Sequence, residues 1–179
     1  MKEISELTKS KISKLKAADE VLFSGRLYTA RDQAHKKIAD LIKSKKKLPL
    51  DLKNKIIYYC GPTLTPKGRV IGSCGPTTSL RMDSYTSYLI KAGVIGLVGK
   101  GRRTKQIREL LRKNSLVYFI APAGCGAYLS EKVTTSKVIA FKELGPEAIY
   151  ELEVKDFPLV VAIDSKGKSI YQDYDKDNK

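Results

Sequence analysis

Four short runs in the chain are apolar almost from end to end: residues 55–60 (KIIYYC), 94–98 (VIGLV), 116–121 (LVYFIA) and 159–164 (LVVAID). A strand with one face in water alternates apolar and polar residues. A continuous run is buried on both faces, as in a sheet covered by helices. Helical patterns separate the runs. Ala34, Ile38, Leu41 and Ile42 fall at i, i+4, i+7 and i+8, one face of a helix that Arg31 opens. Residues 82–92 read as a second helix, stopped by Gly93 at its C-terminal end. Thr104 precedes a third as its N-cap, with Ile107, Leu110 and Leu111 facing inward. Strands alternating with helices predict an α/β domain with a mostly parallel sheet and covering helices.

The remaining segments fit around this frame. Residues 21–30 read as a strand, and residues 61–78, with clustered glycines and prolines, as a loop. Residues 125–132 suggest a short helix, 137–141 a strand, and Lys166-Gly167 a turn. Residues 1–20 form a lysine-rich N-terminal extension with a short amphipathic pattern (Ile4, Leu7, Ile12, Leu15). The expected main domain is 21–172, and 173–179 an exposed tail. No internal repeat is visible.

A length of 179 residues fits one domain. The absence of eighteen consecutive apolar residues, and of an apolar core near Met1, leads to the expectation of a cytoplasmic protein without a membrane span. The cysteines, Cys60, Cys74 and Cys125, form no CxxC pair, and His35 is the lone histidine. Such a chain is not expected to hold a metal or a complete cluster itself. The formal charge of +15 is uneven: residues 1–60 carry 15 basic and 7 acidic side chains, 61–120 carry 11 and 2, and 121–179 carry 8 and 10. The first two thirds are therefore suited to an anion, either nucleic acid or a small dicarboxylate.

Three polar stretches interrupt the fold pattern. In TARDQAH, residues 29–35, a strand-to-helix junction presents Arg31 and backbone N–H groups to one point, which suits a carboxylate. The alternative is a surface pair of Arg31 with Asp32. In CGPTTSLRMD, residues 74–83, Arg81 follows Thr77 by four positions, so hydroxyl and guanidinium can converge. The alternative is a helix capped by Thr77 or Thr78, with Arg81 in water. In GKGRR, residues 99–103, flanking glycines let the backbone approach a ligand and leave the Lys100 amine protruding. Such a lysine is an anion contact or a base, or an ordinary basic turn. The cysteines read as packing residues.

Taken in order, TARDQAH, YYCGPTLTPKG, GPTTSLRMDSY, GKG, ELGPEAIYELEVKDFP and VVAID resemble the C-terminal part of class I fumarases and the β subunit of L-tartrate dehydratase. The resemblance implies a swivelling β/β/α domain that works with an α partner. It implies that this partner holds a [4Fe–4S] cluster, which this chain does not. It further implies that Arg31, Thr77 and Arg81 bind substrate carboxylates, that Thr77 and Lys100 act at the reacting centre, and that Asp32 and His35 support Arg31. It leaves open whether Lys100 or an acid of the partner removes the proton. Arg102 departs from the pattern, since single-chain fumarases tend to carry asparagine after KG and two-subunit forms glycine.

The expected activity is the reversible hydration of fumarate to malate by an iron–sulphur hydro-lyase in which this chain is the β subunit. The long 61–78 loop is more like that of the single-chain fumarases. Tartrate dehydration is the alternative. A basic nucleic-acid-binding module is a rival of another class, supported by the charge. Against it, the tyrosines form no stacking motif.

Overall fold

The computed structural model describes residues 1–171; the expected tail at 173–179 lies outside them. Seven strands form one sheet: β1 (Lys2–Ile4), β2 (Glu20–Thr29), β3 (Ile56–Tyr58), β4 (Gly96–Gly99), β5 (Val117–Ile120), β6 (Val133–Ala140) and β7 (Ile149–Ile163). Their order is β1-β2-β3-β4-β5-β7-β6, and β7 also pairs with β2. Strands β1 to β5 run parallel. Strand β7 is antiparallel to both β2 and β5, so β2-β3-β4-β5-β7 closes into a ring. The helices are α1 (Lys9–Ile12), α2 (Asp32–Lys43), α3 (Asp83–Lys91), α4 (Lys105–Lys113) and α5 (Gly126–Glu131).

The continuous apolar runs are the ring strands β3, β4, β5 and the end of β7, and their residues are buried almost throughout. The largest fully buried side chains include Tyr58, Tyr59, Tyr118, Phe23, Phe119 and Phe157. Each such burial contributes about 1.5–3 kcal/mol of transfer free energy. Helix α2 turns its buried face a little away from the expected one. Ala34, His35, Ile38 and Ala39 are inside, while Leu41 and Ile42 are half-buried where the helix leaves the core. Thr104 accepts from the Ile107 N–H, as its N-cap role requires. Gly93 takes the positive φ (97°) that ends α3.

Three features differ from the sequence expectation. The last strand starts at Ile149, ten residues before the run at 159–164. The strand β6 starts at Val133. Ahead of α3, a 3₁₀ turn over Ser79–Met82 carries Arg81. Within residues 1–20, β1 pairs with β2, and Leu7, Ile12 and Leu15 are buried. No helix among the described residues is long and apolar enough to cross a membrane.

Candidate active site

In parallel α/β architectures, open or closed, ligands bind at the C-terminal ends of the strands. Here three of them deliver the polar stretches to one rim. Arg31 follows β2, Thr77 and Arg81 follow β3 through the 61–78 loop, and Lys100 follows β4.

Arg31 occupies the N-cap position of α2 in extended backbone. Gly61 makes room for it, since a Cβ there would lie 2.7 Å from Arg31 Cδ. The Arg31 Nε faces Asp32 Oδ2 at 3.2 Å and Glu147 Oε1 at 3.6 Å. Glu147 also accepts the Gln33 N–H at 2.7 Å. Carboxylates of the chain itself thus partly fill the anion position expected at this helix start.

Arg81 converges with Thr77 as the spacing suggested: Nη2 donates to Thr77 Oγ1 at 2.6 Å. It also reaches back to α2, where Asp32 accepts from Nε and Nη2, both at 3.1 Å. The capping alternative fails. Thr78 holds the N-cap position of the 3₁₀ turn but makes no side-chain cap bond. Burial raises the Asp32 pKa, but a backbone N–H and the charges of Arg81 and Arg31 outweigh it and hold the carboxyl below its usual range.

The Lys100 backbone is pinned to the same loop. Its N–H faces Thr77 O (3.2 Å) and Ser79 Oγ (3.1 Å), while its carbonyl accepts the Ser79 N–H at 3.0 Å. Thr77 N in turn donates to Tyr59 O at 2.7 Å. Within the chain itself the two glycines flanking Lys100 serve different purposes. A Cβ on Gly99 would lie 2.0 Å from Ser79 Oγ and 2.8 Å from the Tyr59 ring, so the close approach is to the chain itself. Gly101 supplies a positive φ of 80°. The Lys100 side chain is half-buried, and no hydrogen bond or ion pair among the described residues holds its ammonium.

His35 is fully buried beneath this rim. Its Nδ1 lies 2.9 Å from the Arg31 carbonyl oxygen, so that nitrogen carries the proton and the ring supports the Arg31 backbone. The other nitrogen has no hydrogen-bond partner among the described residues, and the ring meets Tyr59 edge-on. Burial, with help from the charge of Arg103, pushes its pKa down to about 4. His35 is therefore a neutral interior group.

Cys60 and Cys74 are buried side by side. A hydrogen bond with Cys74, then burial, pushes the Cys60 thiol well up, which makes it a poor ligand or nucleophile. Cys125 is exposed. Among the described residues, no group of three or more His, Cys, Asp or Glu is placed to hold a metal. The residues present do not fit an iron–sulphur cluster.

One residue at this rim gave no sign of itself in the sequence. The Arg103 side chain is 0% exposed and paired with Asp83 at 2.6 Å. Its partners are distant in sequence, and a charge doublet such as RR is more often solvated.

An α/β domain with guanidinium, hydroxyl and ammonium groups on one strand-end rim is the class that fold and site define. The chain belongs to the fumarase C-terminus family, whose model matches residues 1–174. It is 44% identical over 178 residues to "Putative L(+)-tartrate dehydratase subunit beta" of Methanocaldococcus jannaschii, covering 96% of this chain and 91% of that one. It is 36% identical over 174 residues to "Fumarate hydratase class I, anaerobic" of Escherichia coli (strain K12), covering 96% of this chain and 31% of that protein. For "Fumarate hydratase 2" of Leishmania major the identity is 35% over 173 residues, covering 30% of that protein. The chain thus spans nearly all of a named β subunit but about a third of the fumarate hydratases.

Proposed function

We propose that this chain is the β subunit of a class I fumarate hydratase, adding water to fumarate and removing it from malate together with an α partner. The observation that carries the reading is that Asp32 joins Arg31 to Arg81, Arg81 meets Thr77, and the Lys100 backbone is bonded to Thr77, all at three adjacent strand ends. In this reading Arg31 and Arg81, with the Thr77 hydroxyl, hold the carboxylates of a C4 diacid. A guanidinium fork matches a carboxylate in two parallel bonds. Lys100 stands at the reacting end. Removing a proton beside a carboxylate builds negative charge, and fixed cations offset it without reorganising. Asp32 orients Arg81 and Arg31, and His35 holds the Arg31 backbone.

The [4Fe–4S] cluster implied by the resemblance belongs, in this proposal, to the α partner, because the described residues of this chain offer no ligand set for it. The protein then works in the cytoplasm, and its α/β architecture is of the swivelling β/β/α kind. Tartrate dehydration is the second reading, favoured by the near-complete alignment with a named tartrate dehydratase β subunit.

The test is co-purification with the α partner, followed by absorbance assays on fumarate, malate and L-tartrate. The expected result is fumarate hydration by the iron-loaded complex, and neither activity nor a visible iron–sulphur band from this chain alone. Stoichiometric iron on the isolated chain, or a complex inactive on all three acids, would overturn the proposal.

A further inference from the structure

A fully buried cationic side chain, that of Arg103, lies outside the proposed substrate contacts. The Arg103 guanidinium makes four kinds of contact at once. Nε pairs with Asp83 Oδ1 at 2.6 Å, Nη2 donates to Thr86 Oγ1 at 2.7 Å, and Nη1 donates to the Tyr59 hydroxyl at 3.3 Å. Its carbon also lies within cation–π range of two rings, 5.5 Å from the Tyr59 centroid and 5.1 Å from that of Tyr118. Burial disfavours its charge, but the two tyrosines and Asp83 outweigh that penalty. A buried ion pair is weak evidence for stability, because desolvation offsets much of the attraction. A role in specifying geometry is then the better account.

The two tyrosines show what is specified. Tyr59 is joined through its backbone carbonyl to the Thr77 N–H. Tyr118 reaches Ser79 Oγ and Gly101 O with its hydroxyl, both at 2.8 Å. Ser79 in turn contacts Lys100 through both its N–H and its hydroxyl. Asp83, the charge partner, also accepts from the N–H and hydroxyl of Thr104 at 3.0 and 2.8 Å, fixing the far end of the Lys100 loop. One planar group therefore sits between the supports of Thr77 and Arg81 on one side and those of Lys100 on the other.

We propose that Arg103 is a positioning residue that sets the distance between the carboxylate-binding pair Thr77–Arg81 and Lys100. The assignment rests on the proposed function for the roles of those residues. Its physical content, that Arg103 fixes the relative placement of two loops, can be measured separately. A misplacement of about 1 Å at a reacting centre can cost roughly 100-fold in rate.

The experiment uses the complex with its α partner and compares wild type with Arg103→Lys and Tyr118→Phe. Lysine keeps the charge opposite Asp83 but cannot reach Tyr59 and Thr86 together. Phenylalanine leaves the ion pair and the ring contacts intact but cuts the links to Ser79 and Gly101. The expected outcome for Arg103→Lys is a kcat for fumarate lower by about 100-fold, with KM little changed because Arg31 and Arg81 remain. Amide exchange at Lys100 and Ser79 should become faster in both variants, while the strand cores keep their protection. Unaltered kcat in Arg103→Lys overturns the proposal. If that variant does not fold, an unaltered kcat in Tyr118→Phe overturns it instead. A wild-type complex inactive on fumarate and tartrate would sink the proposed reaction, not this one. The exchange rates then decide, and equal protection of Lys100 and Ser79 in all three proteins overturns the positioning role.

Discussion

Asp32 and Arg81 meet side-on across 49 residues of sequence, the Arg81 Nε and Nη2 each 3.1 Å from a different oxygen of the carboxylate. The side-on fork of Arg81 is thus taken by a carboxylate of the chain, which aligns the guanidinium, and the second Nη2 N–H goes to Thr77. Arg81 keeps its Nη1 N–H groups for a ligand and has little rotational freedom left to lose.

The first prediction follows from that alignment. Arg81→Ala should cost on the order of 2–5 kcal/mol in substrate or transition-state binding, because it leaves a carboxylate unpaired. Thermal stability should change little, since the side chain is 48% exposed. Asp32→Asn should lower kcat/KM by roughly 10–100-fold, as loss of an orienting partner does elsewhere. Steady-state assays of the reconstituted complex check both, and near-normal turnover in Arg81→Ala would make it a surface charge only.

Lys100 separates chemistry from attraction. If it exchanges a proton at the reacting centre, Lys100→Arg should be almost as damaging to kcat as Lys100→Ala, because a guanidinium does not deprotonate at ordinary pH. The expected result is this pattern at both low and high salt. A Lys100→Arg complex retaining most of its kcat, with an alanine defect that tracks ionic strength, would reduce Lys100 to an electrostatic contact.

Much of this was legible beforehand. Continuous apolar runs marked β3, β4 and β5, and the i, i+4 spacing of Thr77 and Arg81 foretold their hydrogen bond. The beginning of β7 was hidden, because its burial alternates only in pieces, at 152–154 and again from Phe157. Asp156 takes a positive φ of 51°, its N–H held by Ser24 Oγ, and Pro158 follows. Both residues read as breakers when the partner strand is unknown. Arg103 was hidden for another reason: Asp83 and Tyr59 lie 20 and 44 positions away, and no local pattern records such a meeting.

His35 predicts a pH dependence. Its folded pKa, about 4 against 6.5, is depressed by burial first. The unfolded chain therefore takes up the proton earlier as pH falls. Stability is fully present above about pH 6.5 and declines as pH is lowered towards 4, by on the order of 3 kcal/mol from this group. His35→Asn, which keeps a donor near the Arg31 carbonyl, should be less stable than wild type at pH 7, with the gap narrowing by pH 4.5. Urea unfolding at the two pH values checks this, and an unchanged gap would contradict a neutral buried imidazole.

Gly99→Ala should be damaging out of proportion to one methyl group. The new Cβ would meet Ser79 Oγ at 2.0 Å and the Tyr59 ring at 2.8 Å. Overpacking of this kind costs about 1–3 kcal/mol. It would also push Ser79 off the Lys100 N–H, so activity should fall further than stability. Thermal melts and kcat measured together check this, and a variant with full activity would show the contact to be slack.

The ring of strands has a consequence for synthesis. Strand β7 joins β2 to β5, yet it is made after every other described strand, while every proposed substrate contact lies before residue 104. Until residues 149–163 leave the ribosome, β2 and β5 each present an unsatisfied edge, a template for pairing with another chain. At roughly 5–20 residues per second that interval lasts seconds. A nascent chain stalled near residue 140 would carry all of its arginines without the strand that closes the ring around them, and its open edges would favour pairing with a neighbouring chain.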